Sequence, residues 1–205
     1  MMIALEGIAG AGKTTLRDRI LHLARRRGVP ICHIGQFSWL SPNATRTLVA
    51  LRTGNATVDE PDAVTAVLQD LALHAHHNIA PARDMHVLAD RLTLSSACLL
   101  GLAYPGAGTG HLEALVRVID AVPDLTVLVT TPVDTCTARL AARPTARAGD
   151  DPRTATQLQE LYHQCAEAWP CSAGTPLRRQ ALNTFEDTEQ LARELLDELE
   201  RASTQ

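Results

Sequence analysis

Residues 7–14, Gly7-Ile8-Ala9-Gly10-Ala11-Gly12-Lys13-Thr14, satisfy the pattern G-x-x-x-x-G-K-[ST] without a mismatch. The apolar run Ile3-Ala4-Leu5, closed by Glu6, precedes them, and a helical pattern begins at Lys13. In a strand, glycine loop and helix of this kind, successive backbone N–H groups turn inward as an anion nest. The helix N-terminus adds its partial positive charge at the same point. Gly7, Ala9, Gly10, Ala11, Gly12, Lys13, Thr14 and Thr15 are therefore the expected contacts of a nucleotide's phosphates. Lys13 would reach the β and γ phosphates and the Thr14 hydroxyl would ligate Mg²⁺. Kinases, GTPases and motor ATPases share the loop, so it gives a nucleotide as the phosphoryl donor and leaves the acceptor open.

Composition sharpens the assignment of Lys13. Of the 19 basic residues in this chain of 205, Lys13 alone is a lysine, so it is expected to do something arginine does not. The net charge of −4 and the scattered charges argue against nucleic acid and for a small-molecule partner. No apolar run is long enough to span a bilayer and the first residues lack a basic leader, so a cytoplasmic protein is expected. Cys32, Cys98, Cys136, Cys165 and Cys171 contain no C-x-x-C pair and read as free, mostly buried thiols.

The length predicts one domain, residues 1–205. Strand-like and helical patterns alternate, which predicts an α/β fold of three layers around a five-stranded parallel sheet. The strands are expected at Ile3–Glu6, Ile31–Ile34, Val87–Asp90, Leu125–Thr130 and Gln180–Leu182. Helices are expected from Lys13 to about Arg27, Asp62 to Ile79, His111 to Ala121, Val133 to Arg143, Arg153 to Ala168 and Glu186 to Arg201. The breaker-rich stretch near 146–152 predicts a loop. His74, His76 and His77 read as helix histidines rather than as a metal site.

Asp90-Arg91 stands at the C-terminal end of an apolar strand, where open α/β sheets bind ligands. With the Ser95-Ser96 that follows, the Glu6-Gly7 entry to the loop, Asp70 through His74, Ile79-Ala80-Pro81-Ala82 and Pro123-Asp124-Leu125-Thr126, the chain resembles the thymidylate kinase family over most of its length. The resemblance implies a kinase that uses ATP and Mg²⁺. Asp90 would organise the metal, and Arg91 would neutralise charge between donor and acceptor. It also implies a lid at about 143–153, in which Arg143 and Arg147 would close over ATP, and a homodimer. The apolar helical segments around Leu92–Leu102 and Leu68–Leu73 are the expected dimer surfaces.

Departures from the family pattern gather on the acceptor side. Ala9 stands where an acidic residue is usual, Gln36-Phe37 falls in the stretch that usually carries Arg-Glu-Pro, Asp70-Leu71 replaces Asp-Arg, and Leu99-Leu100 replaces Tyr-Gln. Two phosphate-clamping arginines are thus missing, which points to an acceptor without a phosphate, such as a nucleoside, and makes Glu6 a candidate base. Gln36, Gln69 and Asp70 are the expected polar contacts of that acceptor, with Phe37, Trp39 and Leu71 as apolar walls. A nucleoside-monophosphate kinase that clamps through Arg46, Arg52 and Arg91 is the alternative. From another class, a nucleotide-binding regulatory protein without catalysis is disfavoured by the joint presence of Lys13, Thr14, Asp90 and Arg91.

Overall fold

The computed structural model describes residues 1–54, 57–82, 84–107, 109–118, 122–144 and 152–203. Five parallel strands form one sheet in the order β2-β3-β1-β4-β5, with β1 Met2–Glu6 at its centre, β2 Ile31–Ile34, β3 His86–Asp90, β4 Leu125–Val129 and β5 Leu177–Gln180. All residues of β1 and β4 are buried, as strands covered by helices on both faces must be. Ala4 stands opposite Ala89 on one side and Thr126 on the other, so the ends of β1, β3 and β4 open at one edge. Asp124 accepts the Met2 N–H and fixes where β4 starts beside β1.

Helix α1, Lys13–Arg27, ends on Gly28 in the left-handed region at φ 74°, a conformation that favours glycine. It packs on α8, Phe185–Ala202, whose N-terminus carries a reciprocal Thr184/Asp187 capping box. α2, Pro42–Thr53, starts on the Ser41 cap and packs on α3, Glu60–His74, which continues as one π turn over Ala75–Ile79. α4, Thr93–Ala103, is covered by α5, Gly110–Val118, and by α7, Pro152–Ala173. The short α6, Val133–Ala141, follows β4. The arrangement is the three-layer α/β/α fold expected from the sequence.

Two expectations need correction. β5 lies three residues earlier than Gln180–Leu182. Its charged Arg178 and Arg179 are paired with Glu194, Glu198 and Glu167, as suits an edge strand, while Leu182 has left the sheet. The apolar segment Leu92–Leu102 assigned to a dimer surface is largely buried within the chain, with Leu92, Leu94 and Leu100 fully covered, whereas in Leu68–Leu73 Leu71 lies in the core and Leu68 and Leu73 are half-buried. A helix that is apolar on every side needs covering, and α5 and α7 already supply the cover.

Candidate active site

The phosphate loop leaves β1 at Glu6 and is packed against the backbone of β4 and α6. Gly7 has φ 134°, and a Cβ there would come within 2.6 Å of the Val129 carbonyl oxygen. At Gly10, φ 80°, a Cβ would collide with the Cys136 carbonyl. Lys13 is buried and its Nζ donates to the Gly7 and Ile8 carbonyls at 2.9 and 2.7 Å, inside the curve of the loop. Burial, then repulsion from Arg91, lowers its pKa well below the usual lysine range, against the pull of Asp90 and Glu6. An anionic phosphate brought to the loop would favour its charged form.

The loop is braced from behind. The buried Thr131 hydroxyl donates to Ala11 O at 2.8 Å and accepts the Leu182 N–H at 3.0 Å. Arg139 of α6 donates to Gly10 O, Leu182 O and Asn183 O, tying the loop to the segment that enters α8. This explains why Leu182 belongs to the site rather than to the sheet.

At the end of β3, Asp90 pairs with Arg17 of α1 at 3.0 Å. Arg17 is one helical turn beyond Lys13, on the same face, a spacing that made it findable in the sequence. Arg91 follows with φ 74°, uncommon for a residue with a side chain. Its N–H donates to Leu5 O at 3.0 Å, and the next N–H, that of Leu92, donates to Glu6 Oε1 at 2.9 Å. The Arg91 guanidinium donates to the Tyr162 hydroxyl at 2.6 Å and to Ser95 Oγ at 3.2 Å. Ser95 in turn donates to Glu6 Oε2 and shares a 2.5 Å contact with Tyr162. Burial opposes the Arg91 charge, but Tyr162, Glu6 and Asp90 outweigh it and raise its pKa. Burial raises Glu6 above the usual carboxylate range, against the pull of Ser95, Arg91 and Leu92.

One cavity of about 1140 Å³ joins these groups. Around the phosphate loop, the expected donor end, it is lined by Gly10, Gly12, Lys13, Thr14 and Thr15, by Arg139 and Arg143, and by Asn183, Thr184 and Phe185. Ala9 lines it as well, while Gly7 and Ala11 lie behind the loop surface. At the other end, the expected acceptor end, it is lined by Gln36, Phe37, Trp39, Arg52, Leu99 and Tyr104, with Asp90, Arg91, Ser95 and Tyr162 between the two.

Three expected acceptor contacts do not line it. Gln69 is exposed, and Leu71, 1% exposed, is core. Asp70 is fully buried, and its carboxylate accepts the N–H groups of Ser38 and Trp39 and the Ser38 hydroxyl. Asp70 therefore shapes a wall of the cavity from behind. Glu6, 1% exposed, is likewise sealed from the cavity by its own partners. Arg46 is exposed and donates to Asn43, away from the cavity. His74 bridges the Gly35 carbonyl and Asn78, each at 2.8 Å. Arg147 and residues 145–151 of the expected lid lie outside the described residues. Arg17, Ser95 and Tyr162 were missed; nothing local in the sequence marks Tyr162.

The thymidylate kinase family model matches residues 5–175, from β1 through α7. The chain belongs to the thymidylate kinase family. It is 34% identical over 169 residues to the thymidylate kinase of Xanthomonas campestris pv. campestris strain B100, covering 80% of this chain and 68% of that protein. It is 32% identical over 193 residues to the thymidylate kinase of Pseudomonas fluorescens strain Pf-5, covering 89% of this chain and 86% of the relative. Thymidylate kinases are ATP-dependent phosphotransferases, and the residues here fit that donor. The glycine loop, Lys13, Arg139 of α6 and Arg143 just beyond it present N–H groups and positive charge to one end of the cavity. Thr14 and Asp90 would hold magnesium, as a hydroxyl and a carboxylate suited to a hard cation that draws its remaining oxygens from phosphates and water. Among the described residues no group of three or more His, Cys, Asp or Glu side chains offers another metal site.

Proposed function

We propose that this single-domain kinase transfers the γ-phosphoryl of MgATP to the phosphate of a nucleoside monophosphate. Thymidylate is the first acceptor to consider because the similar proteins carry that name. The observation that carries this reading is the sealing of Glu6. A hydroxyl acceptor needs a base within reach of its proton, whereas a phosphate acceptor brings an anionic oxygen and needs cations. The Glu6 carboxylate is occupied by Leu92 N–H and the Ser95 hydroxyl. Asp90 is then the only carboxylate lining the cavity among the described residues, and magnesium has first claim on it. Arg52 supplies positive charge at the acceptor end and Arg91 between the two ends.

Lys13 and Arg91 would stabilise charge on the transferring group from opposite sides, with Arg143 and the lid arginine Arg147 as the proposed further cations. A homodimer belongs to the proposal on the family resemblance alone. The competing reading, an unphosphorylated acceptor, draws on Gln36-Phe37 and Leu71 standing where the family places cations. Coupled ADP release with dTMP, other nucleoside monophosphates and the matching nucleosides separates the two. The proposed reaction gives a kcat/KM for at least one monophosphate well above that of every nucleoside. The reverse order would establish the competing reading.

A further inference from the structure

Trp39 has φ 58°, a backbone conformation that bulky L residues rarely adopt. It is kept there by Asp70, a fully buried carboxylate on α3 that accepts Trp39 N–H at 3.2 Å, Ser38 N–H at 3.0 Å and the Ser38 hydroxyl at 2.7 Å. A buried charge and a strained backbone are thus devoted to placing one indole, and that kind of strain gathers where a ligand is held. The indole lines the acceptor end of the cavity and remains 48% exposed.

Its aromatic neighbours at this end are more covered: Tyr104 is half-buried, with its hydroxyl donating to Val58 O at 2.6 Å. Phe37 is 5% exposed, with the Arg52 guanidinium 5.6 Å from its ring centre and the Trp39 ring edge-on at 5.1 Å. Tyr162 is 2% exposed and engaged with Arg91. Phe37 therefore buttresses Trp39, and Trp39 offers the surface. Phe185, also exposed, belongs to the donor end.

We propose that Trp39 is the stacking platform for the acceptor's ring, and hence the residue that restricts acceptors to those carrying a planar heteroaromatic base. The proposal rests on the nucleotide-acceptor reading for the identity of the base but is measured without turnover. A rigid indole with a preset backbone loses little entropy when a base lies on it, and stacking tolerates different bases because each has a π face. Discrimination among bases then falls to polar neighbours such as Gln36.

The chain has two tryptophans, which makes the test direct. Trp169 is fully buried, with its indole N–H on Thr175 Oγ1 at 3.2 Å, and serves as an internal control of the fold. Titration with dTMP is expected to quench the fluorescence of Trp39, ribose 5-phosphate is expected not to, and the response should vanish in Trp39→Phe. Trp39→Gly should raise the acceptor KM about ten- to a hundredfold with little change in kcat or in the KM for ATP. Its melting temperature should not fall, because glycine adopts φ 58° without strain. Trp39→Phe should recover most of the acceptor affinity. A quench by thymidine with none by dTMP would retain the platform and remove the phosphate from the acceptor. Turnover of dTMP with no Trp39 response, or an unchanged acceptor KM in Trp39→Gly, would remove the platform and leave the reaction standing.

Discussion

Glu6 and Lys13 are both buried charges beside the phosphate loop, and their surroundings give them different tasks. Lys13 faces the cavity, where a phosphate would stabilise its charge. Glu6 faces the interior, where it holds the Leu92 N–H and so secures the turn that carries Arg91. Glu6→Gln should therefore lower kcat by less than about tenfold, since an amide oxygen still accepts from Leu92; loss of a true base costs about 10²–10⁴. Its stability profile carries a second signature. With its folded pKa raised, Glu6 binds more protons in the folded than in the unfolded chain, upward from the ordinary glutamate value of about 4.3. Stability then declines as pH rises through that window, and Glu6→Gln should flatten the decline in melting curves taken from about pH 4 to 7. A kcat loss of a thousandfold in this variant would restore Glu6 as a base. Lys13 and Thr14 could be proposed from the sequence because one strand, loop and helix set them side by side, and Asp90 because it closes an apolar strand. The sealing of Glu6 could not, because its partner Ser95 is 89 residues away.

Among the elements, α7 contributes most that the sequence did not disclose. The sequence stopped it near Ala168, ahead of Pro170, but the helix runs through that proline to Ala173, where its missing N–H removes only one bond near the end. Its central residue for function is Tyr162, whose hydroxyl receives an Arg91 N–H and meets Ser95. α7 is thereby joined to Arg91 at the end of β3. Tyr162→Phe keeps the ring in the core and removes only the hydroxyl. Loss of a hydrogen bond to a charged group, about 1.5–3 kcal/mol, predicts a kcat reduced about ten- to a hundredfold with the KM for ATP unchanged. Ser95→Ala, alone and combined, would give the coupling, and strongly non-additive effects are expected of groups in one network. A variant that lost only melting temperature would make Tyr162 a packing residue. α2 went unread for want of a clear apolar stripe. α4 was read as an apolar segment but assigned to a second copy, because uniform apolarity signals burial without saying against what.

At the scale of the whole molecule, the sheet order places the ends of β1 and β3 side by side, and α2, α4, α7 and the segment entering α8 wall the space above them. Alternation of strands and helices made the sheet legible, whereas the cavity needs residues from 9 to 188 and no periodicity reports such convergence. Because the donor and acceptor ends belong to one continuous space, a single molecule spanning both should bind better than its halves. The compound to test joins adenosine and thymidine through a chain of phosphates, with the chain length varied. Linking converts the second binding step into an intramolecular one. At a hundred times its dissociation constant a ligand adds about 2.7 kcal/mol of stability, and each kcal/mol moves the midpoint of a chain this size by about 2–4 °C. The linked compound should therefore raise the melting temperature by about 5–10 °C at concentrations where ADP and dTMP together do much less. Trp39→Gly should reduce that increment by weakening the thymidine end, and Lys13→Ala should reduce it by weakening the phosphate grip. Equal shifts from the linked compound and from the mixture of its halves would mean that the two ends are not occupied together.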